Sequence, residues 1–330
     1  MSSASKSYLK PIVQSLLLIG LIGMIAWLQI SRPRLLSDWI ISQQFHPSTE
    51  ALDIRASLDL TPSGNRVFLA SQPELNSALD FNQNCARKEA SVAILGCYAD
   101  YRIFVYDVNN QELDGILETT MAHEFLHAAY DRLSSVDRQR VGSLIEADYL
   151  RLKTDELEKR LDFYRRTEPG QSIKELHSIL GTEFADLSPE LEVYYQRYFN
   201  DRQLILASYN RYHAKFIDLY QQSEVTKVKI DELEPTILAT RASYDLKLTG
   251  LNADIARFNE QANNGSIARY QFNTDRSNLL FRVNQLESMR LKINSDVDLY
   301  NQLIQNYNSN ASRYNELSSS LNSLDPGPSL

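Results

Sequence analysis

The chain has 330 residues, with 42 acidic side chains against 34 basic ones and a net charge of −8. No basic cluster offsets that acidic total, which argues against a nucleic-acid partner. The length accommodates two folded units and an anchor.

The anchor comes first. From Pro11 to Ile30 no residue is charged, and about 20 apolar residues suffice to cross the hydrocarbon core of a bilayer. Lys6 and Lys10 precede this run, and Arg32 and Arg34 follow it. Trp27-Leu28-Gln29-Ile30-Ser31-Arg32 offers no small-x-small cleavage site, so residues 1–34 are expected to be an uncleaved single-pass transmembrane anchor. The basic residues balance across it and do not orient it. Two other features place the bulk of the chain outside the cytoplasm. The long polar remainder follows the span, and Cys85 and Cys97 are spaced for one local disulfide in an oxidising compartment. Two free thiols in the cytosol are the alternative.

Residues 35–200 read as an α+β domain. Polar turns such as Thr61-Pro62-Ser63-Gly64-Asn65 alternate with short apolar runs up to about Tyr106. The β-branched and aromatic stretch Arg102–Val108 is expected to be a strand, able to hold an extended substrate by edge pairing, and Asn109-Asn110 closes it. From Glu112 to about Phe199 the pattern is helical. Ser134-Ser135-Val136-Asp137 starts a long polar helix, Glu168-Pro169-Gly170-Gln171 breaks it, and Ser188-Pro189 opens another.

Within that region His123-Glu124-Phe125-Leu126-His127 is a complete HExxH set in a chain with five histidines. The flanking Gly115–Tyr130 stretch is apolar, with no proline or internal glycine, so one helix can carry both histidines. On a helix, i and i+4 lie about 40° apart, so both imidazoles reach a single ion. Glu124 then sits beside the water that the ion would activate, and the chemistry implied is zinc-assisted hydrolysis of a peptide bond. Catalytic zinc takes three protein ligands and leaves a position for water. No third histidine follows within the short metzincin spacing. Glu175, heading a helical segment with small Ser178 three positions on, and Glu183 in Gly181-Thr182-Glu183-Phe184 are the candidates. Ser172-x-x-Glu175 equally fits a capping box. His177 lies about 200° round the helix from Glu175, which suits packing or a hydrogen bond to Glu124 or a ligand. Tyr194, Tyr195 and Tyr198 are candidate donors to an oxyanion.

Residues 201–330 follow a different rule. Phe272, Leu279, Leu286, Ile293, Tyr300, Tyr307 and Tyr314 recur every seven residues. Ile237, Tyr244, Leu251 and Phe258 do the same, and Asn263-Asn264-Gly265-Ser266 separates the runs. Two heptad arms joined by a turn predict an antiparallel coiled-coil hairpin, with Pro235 breaking or kinking the first arm. Such a hairpin can also recruit a protein partner.

HEFLHAAYDRL, followed after His127 by ELHSILGTEF and LSPELEVYYQRYF, resembles the glutamate zincins, or gluzincins, including the compact group with the anthrax-lethal-factor-type catalytic domain. The resemblance covers roughly Tyr101 to Phe199. It implies a zincin-like metallopeptidase in which His123, His127 and Glu175 bind Zn²⁺ and Glu124 is the general base. Thermolysin-like members have their glutamate closer in sequence, followed by an aspartate in the same turn, and this chain does not. The expectation is therefore a mainly α protein: anchor, zincin-like α+β domain and hairpin. It acts as a membrane-anchored zinc peptidase on a protein or peptide substrate. A non-catalytic membrane-tethered scaffold with a zincin-like binding domain is the alternative.

Overall fold

A computed structural model describes residues 13–23, 34–85 and 94–324. The chain is mainly helical, with one small sheet and a long C-terminal helical hairpin. Of the apolar run expected to cross a membrane, residues 13–23 are helical and exposed (α1), and the rest lies outside the described residues. No described helix is long and apolar enough to cross a membrane. The division into two compact units falls at Phe216 and Glu316. One unit is Phe216–Glu316, and the other joins the residues before it to those after it.

In the first unit come α2 (Leu35–Gln44), α3 (Thr49–Ser57), α4 (Pro62–Ala70), β1 (Glu74–Asn76), α5 (Ala78–Asn84), β2 (Gly96–Ala99) and β3 (Arg102–Tyr106). There follow α6 (Ile116–Asp131), α7 (Ser135–Leu152), α8 (Asp155–Thr167), α9 (Ser172–Glu183) and α10 (Pro189–Tyr195). Most starts are capped in the way the sequence signals. Ser48, Thr61, Ser77 and Ser134 each accept a bond from the backbone N–H three residues on, which satisfies a donor the first turn leaves open. The long helix expected from Ser134 to the Pro169 break is in fact two. Thr154 caps α8 by accepting from the Leu157 N–H, and Asp155, Glu156 and Glu158 follow in its first turn. A threonine cap with acids behind it restarts a helix as well as a serine does.

The sheet order is β1-β3-β2, with β1 parallel and β2 antiparallel to β3. The strand expected to lie at an edge is therefore central, with both its sides paired. Among the described residues the sheet's two edges are β1 and β2. Asp100 and Tyr101, both at positive φ (49° and 64°), join β2 to β3 in a two-residue turn. A Cys85–Cys97 disulfide ties the end of α5 to β2. Closing a loop of that size contributes about 3 kcal/mol in the chain-entropy account.

Helix α6 runs through the middle of this unit. Met121, Ala122, Phe125, Leu126, Ala128 and Ala129 are fully buried against α3, α4, the sheet and α9. Its closest neighbour is α9. A Cβ on Gly181 would meet Leu126 and come within 2.9 Å of the Tyr195 ring, so glycine there sets how near the two helices lie. Arg202 fastens the far end of α9: it donates to the carbonyl of Phe184 at 2.8 Å and pairs with Glu192.

The second unit consists of most of α11 (Gln203–Asn263) and α12 (Arg269–Ser320), about 90 and 80 Å long at 1.5 Å per residue. Phe258 packs on Phe272, Asp254 pairs with Arg282 at 2.7 Å, and Phe216 packs on Tyr314, which makes the arms antiparallel. The turn falls where Asn263-Asn264-Gly265 predicts it, with Gly265 at φ +73°. Leu251 and Leu286 are buried and most other heptad positions half-buried. Pro235 does not end the first arm: α11 is continuous through it. Pro235 and Asp231 are both exposed, so the carbonyl that loses its helical partner faces water.

Gly181→Ala should lower the unfolding midpoint by the equivalent of about 1–3 kcal/mol, the usual cost of overpacking. Thermal denaturation followed by circular dichroism reads it, and an unchanged midpoint would mean that the α6–α9 spacing is not set by this glycine.

Candidate metal centre

Helix α6 and helix α9 together carry the site. Heptad-like spacing has no part in it; two residues one turn apart on α6 meet one residue from the first turn of α9. The His123 and His127 Nε2 atoms lie 3.1 Å apart. One Glu175 carboxylate oxygen is 3.7 Å from His123 Nε2, and the other is 3.5 Å from His127 Nε2. An ion bonded at about 2.0–2.1 Å with tetrahedral angles sets its ligand atoms about 3.3–3.4 Å apart. The 3.1 and 3.5 Å separations lie close to that value, and with one ligand atom taken from each residue the three lie within 4.8 Å of one another, so this group could hold a single small ion. His123, His127 and Glu175 form the one group among the described residues that can hold a metal in this way.

The rival glutamate is engaged elsewhere. Both Glu183 oxygens accept from the Arg160 guanidinium, at 2.6 and 2.7 Å, a bidentate pair that leaves no carboxylate edge for the histidines. Glu175 does not form the capping box with Ser172 either. The cap of α9 is Gln171, Ser172 is already helical, and the Glu175 carboxylate points to the imidazoles.

The electrostatics of the cluster follow from its burial. Burial pushes the Glu124 carboxyl up to about 7, with His123 pulling it down and the charge of Glu175 adding to the rise. Burial alone would lower His123. The hydrogen bond with Glu175 and the charges of Glu124 and Glu175 outweigh it, and His123 ends above the usual histidine range. His127 goes the other way, held low by burial and by the charge on His123. The Nδ1 of His127 is buried without a hydrogen-bond partner among the described residues, where a metal-binding histidine commonly donates to a carbonyl or carboxylate.

Glu124 lies beside the cluster and under β2. A Cβ on Gly96 would sit 2.6 Å from Glu124 Cγ and 2.8 Å from Oε1. Only a residue without a side chain lets the strand pass this close to the carboxylate. Lys174, next to Glu175, pairs with Asp131 at 3.1 Å and spreads positive charge toward Glu124 and His127.

The tyrosines that are candidate oxyanion donors are engaged elsewhere. Tyr194 hydroxyl bonds His177 Nε2 at 2.8 Å, Tyr195 donates to the His177 carbonyl at 2.6 Å, and Tyr198 packs on Tyr194 and Phe125. His177 is buried with them and kept neutral, its pKa lowered to about 3 by burial first and by His123 second. It touches neither Glu124 nor a ligand through its ring nitrogens. Tyr164 on α8 is half-buried, and burial first and the charge of Glu175 second hold its hydroxyl above the usual tyrosine range. The residue that sequence reasoning missed is Gly96, silent as a glycine at the start of a strand.

No family model matches the chain, and no curated protein or solved structure matches it either.

The geometry makes the two glutamates separable. The full chain purified in detergent should retain one divalent ion after dialysis. Glu175→Ala should weaken binding by more than the roughly 10–100-fold that loss of an outer partner costs, whereas Glu183→Gln should stay within that range. Metal titration with a competing chelator measures both, and equal losses would sink the assignment of Glu175.

Proposed function

We propose that this chain is a zinc-dependent peptidase of the gluzincin type, held to a membrane by its N-terminal apolar run. The observation that carries the reading is the convergence of His123, His127 and Glu175 with Glu124 buried beside them. Two imidazoles and a carboxylate, three protein ligands in all, are the donor set of a catalytic rather than a structural zinc site.

A zinc ion held by these three side chains would supply a Lewis acid and lower the pKa of a bound water toward 7. The remaining work belongs to the protein. Glu124, with its carboxyl near 7, is matched to take a proton from the attacking water at neutral pH and to return it to the leaving amine. Gly96 lets β2 run past that carboxylate, and β2 is an open sheet edge among the described residues. An extended peptide adds to such an edge as a further strand, which delivers its carbonyls to the site in register. The Cys85–Cys97 disulfide supports a catalytic domain on the oxidising, extracytoplasmic side of the membrane.

Two substitutions test the roles separately from the metal. Glu124→Gln should lower peptide hydrolysis by about 10²–10⁴, the usual worth of a general base, with metal content unchanged. A randomised peptide library read by mass spectrometry supplies the assay, and full activity in a folded Glu124→Gln protein would sink the reading. Gly96→Ala, which forces the carboxylate aside, should cost up to about 100-fold in the same assay, as a misplacement near 1 Å does, again without loss of the ion.

A further inference from the structure

Helix α2 is built inside out. It exposes Leu35, Leu36, Trp39 and Ile40, between 40% and 58% of each side chain, and buries Asp38 and Ser42. At 100° per residue the four apolar side chains share an arc of about 140°. A soluble helix turns that face to the core. Here the polar face is bound inward instead. Asp38 accepts two bonds from Arg132, at 2.9 and 3.1 Å, and a third from Arg34.

What lies next to this helix narrows what can cover it. Leu35 follows the uncharged run Pro11–Ile30 by five residues, so α2 begins no more than about 18 Å of extended chain from the end of that run. The Arg34 guanidinium stacks on Tyr101 at 3.6 Å, and Tyr101 is half exposed at the tip of the β2–β3 turn. Tyrosine and tryptophan beside arginine is the composition of a bilayer interface. Beside α2 opens a cavity of about 740 Å³ whose lining includes Arg34, Arg66, Arg132, Arg138 and Arg197 against three aspartates. In a chain of net charge −8, that is a local positive surplus where lipid phosphates would lie.

We propose that α2 lies along the membrane surface, with Leu36, Trp39 and Ile40 in the boundary between headgroups and acyl chains and the arginine-lined cavity facing the phosphates. This rests on the reading of the preceding run as a membrane anchor. The occupant of the exposed face is the bilayer itself, and the face belongs to an interfacial helix. The bonds from Arg132, which is the cap of α6, fix the metal-bearing helix to that surface.

The chain contains two tryptophans, Trp27 within the apolar run and Trp39 on α2, so each half of the reading has its own reporter. The full chain is reconstituted into phosphatidylcholine vesicles carrying some phosphatidylglycerol, as Trp27→Phe and as Trp39→Phe. Lipids brominated near the headgroup or deep in the acyl chain serve as quenchers. The expected result is that Trp39 emits at blue-shifted wavelengths and loses most emission to the shallow quencher, while Trp27 loses most to the deep one. Trp39 emitting as in water and unquenched, with Trp27 quenched, would overturn the interfacial helix and leave the anchor standing. If neither is quenched, the anchor reading fails and the interfacial helix fails with it. Ile40→Asn in the Trp27→Phe background should reduce the shallow quenching; unaltered quenching there would mean that the apolar face is not what holds α2 down.

Discussion

A carboxylate buried between two imidazoles is the constraint on which the first unit is built. Removing such a group from water costs several kcal/mol unless charge or a cation answers it inside. The fold places the answer on a single helix neighbour. His123 and His127 come from one face of α6 and Glu175 from the facing turn of α9. Gly181 lets those helices approach closely enough for the three to converge. Arg160 pairs with Glu183, and Arg202 donates to the carbonyl of Phe184 and pairs with Glu192.

Local signals carried much of this fold in the sequence. The cap at Ser134, the start of α10 at Ser188-Pro189, the break at Pro169-Gly170 and the turn at Asn263-Asn264-Gly265 all stand where local sequence puts them. So does the antiparallel pairing of the arms, because a seven-residue period fixes which face of each helix is covered. Positions that depend on what lies across space were harder. Arg102–Tyr106 has the composition of any strand, and nothing local says that β1, thirty residues earlier in the chain, takes its second edge. Proline in a helix usually stops it, and only the exposure of Pro235 and Asp231 explains why α11 continues.

The site divides along the same line. HExxH is a local motif, and its two histidines meet because helical geometry requires it. The approach of Glu175 to them is a tertiary fact. Glu175 and Glu183 sit on one helix and differ only in their neighbours, and Arg160, from another helix, is what removes Glu183 from contention. Tyr194, Tyr195 and Tyr198 were attractive for their density, yet density of aromatics more often marks a core, and these three enclose His177. Gly96 acts through the side chain it lacks, which no composition rule registers.

The roots of the long hairpin have a consequence for how the molecule can vary. Arg211 pairs with Asp114 at 2.9 Å, Ser208 backbone lies against Gly115, and at the other root Asn110 donates to Ser320 at 3.0 Å. Asp114, Gly115 and Asn110 belong to one short connection, the link from β3 to α6. The entry and exit of the second unit are therefore moored to the same few residues, as the ends of an inserted domain are. Nothing in that mooring counts turns. Arms lengthened or trimmed by equal whole heptads would keep their seam in register and return to the same roots. Arm length is thus a quantity the hairpin can change in steps of about 10 Å.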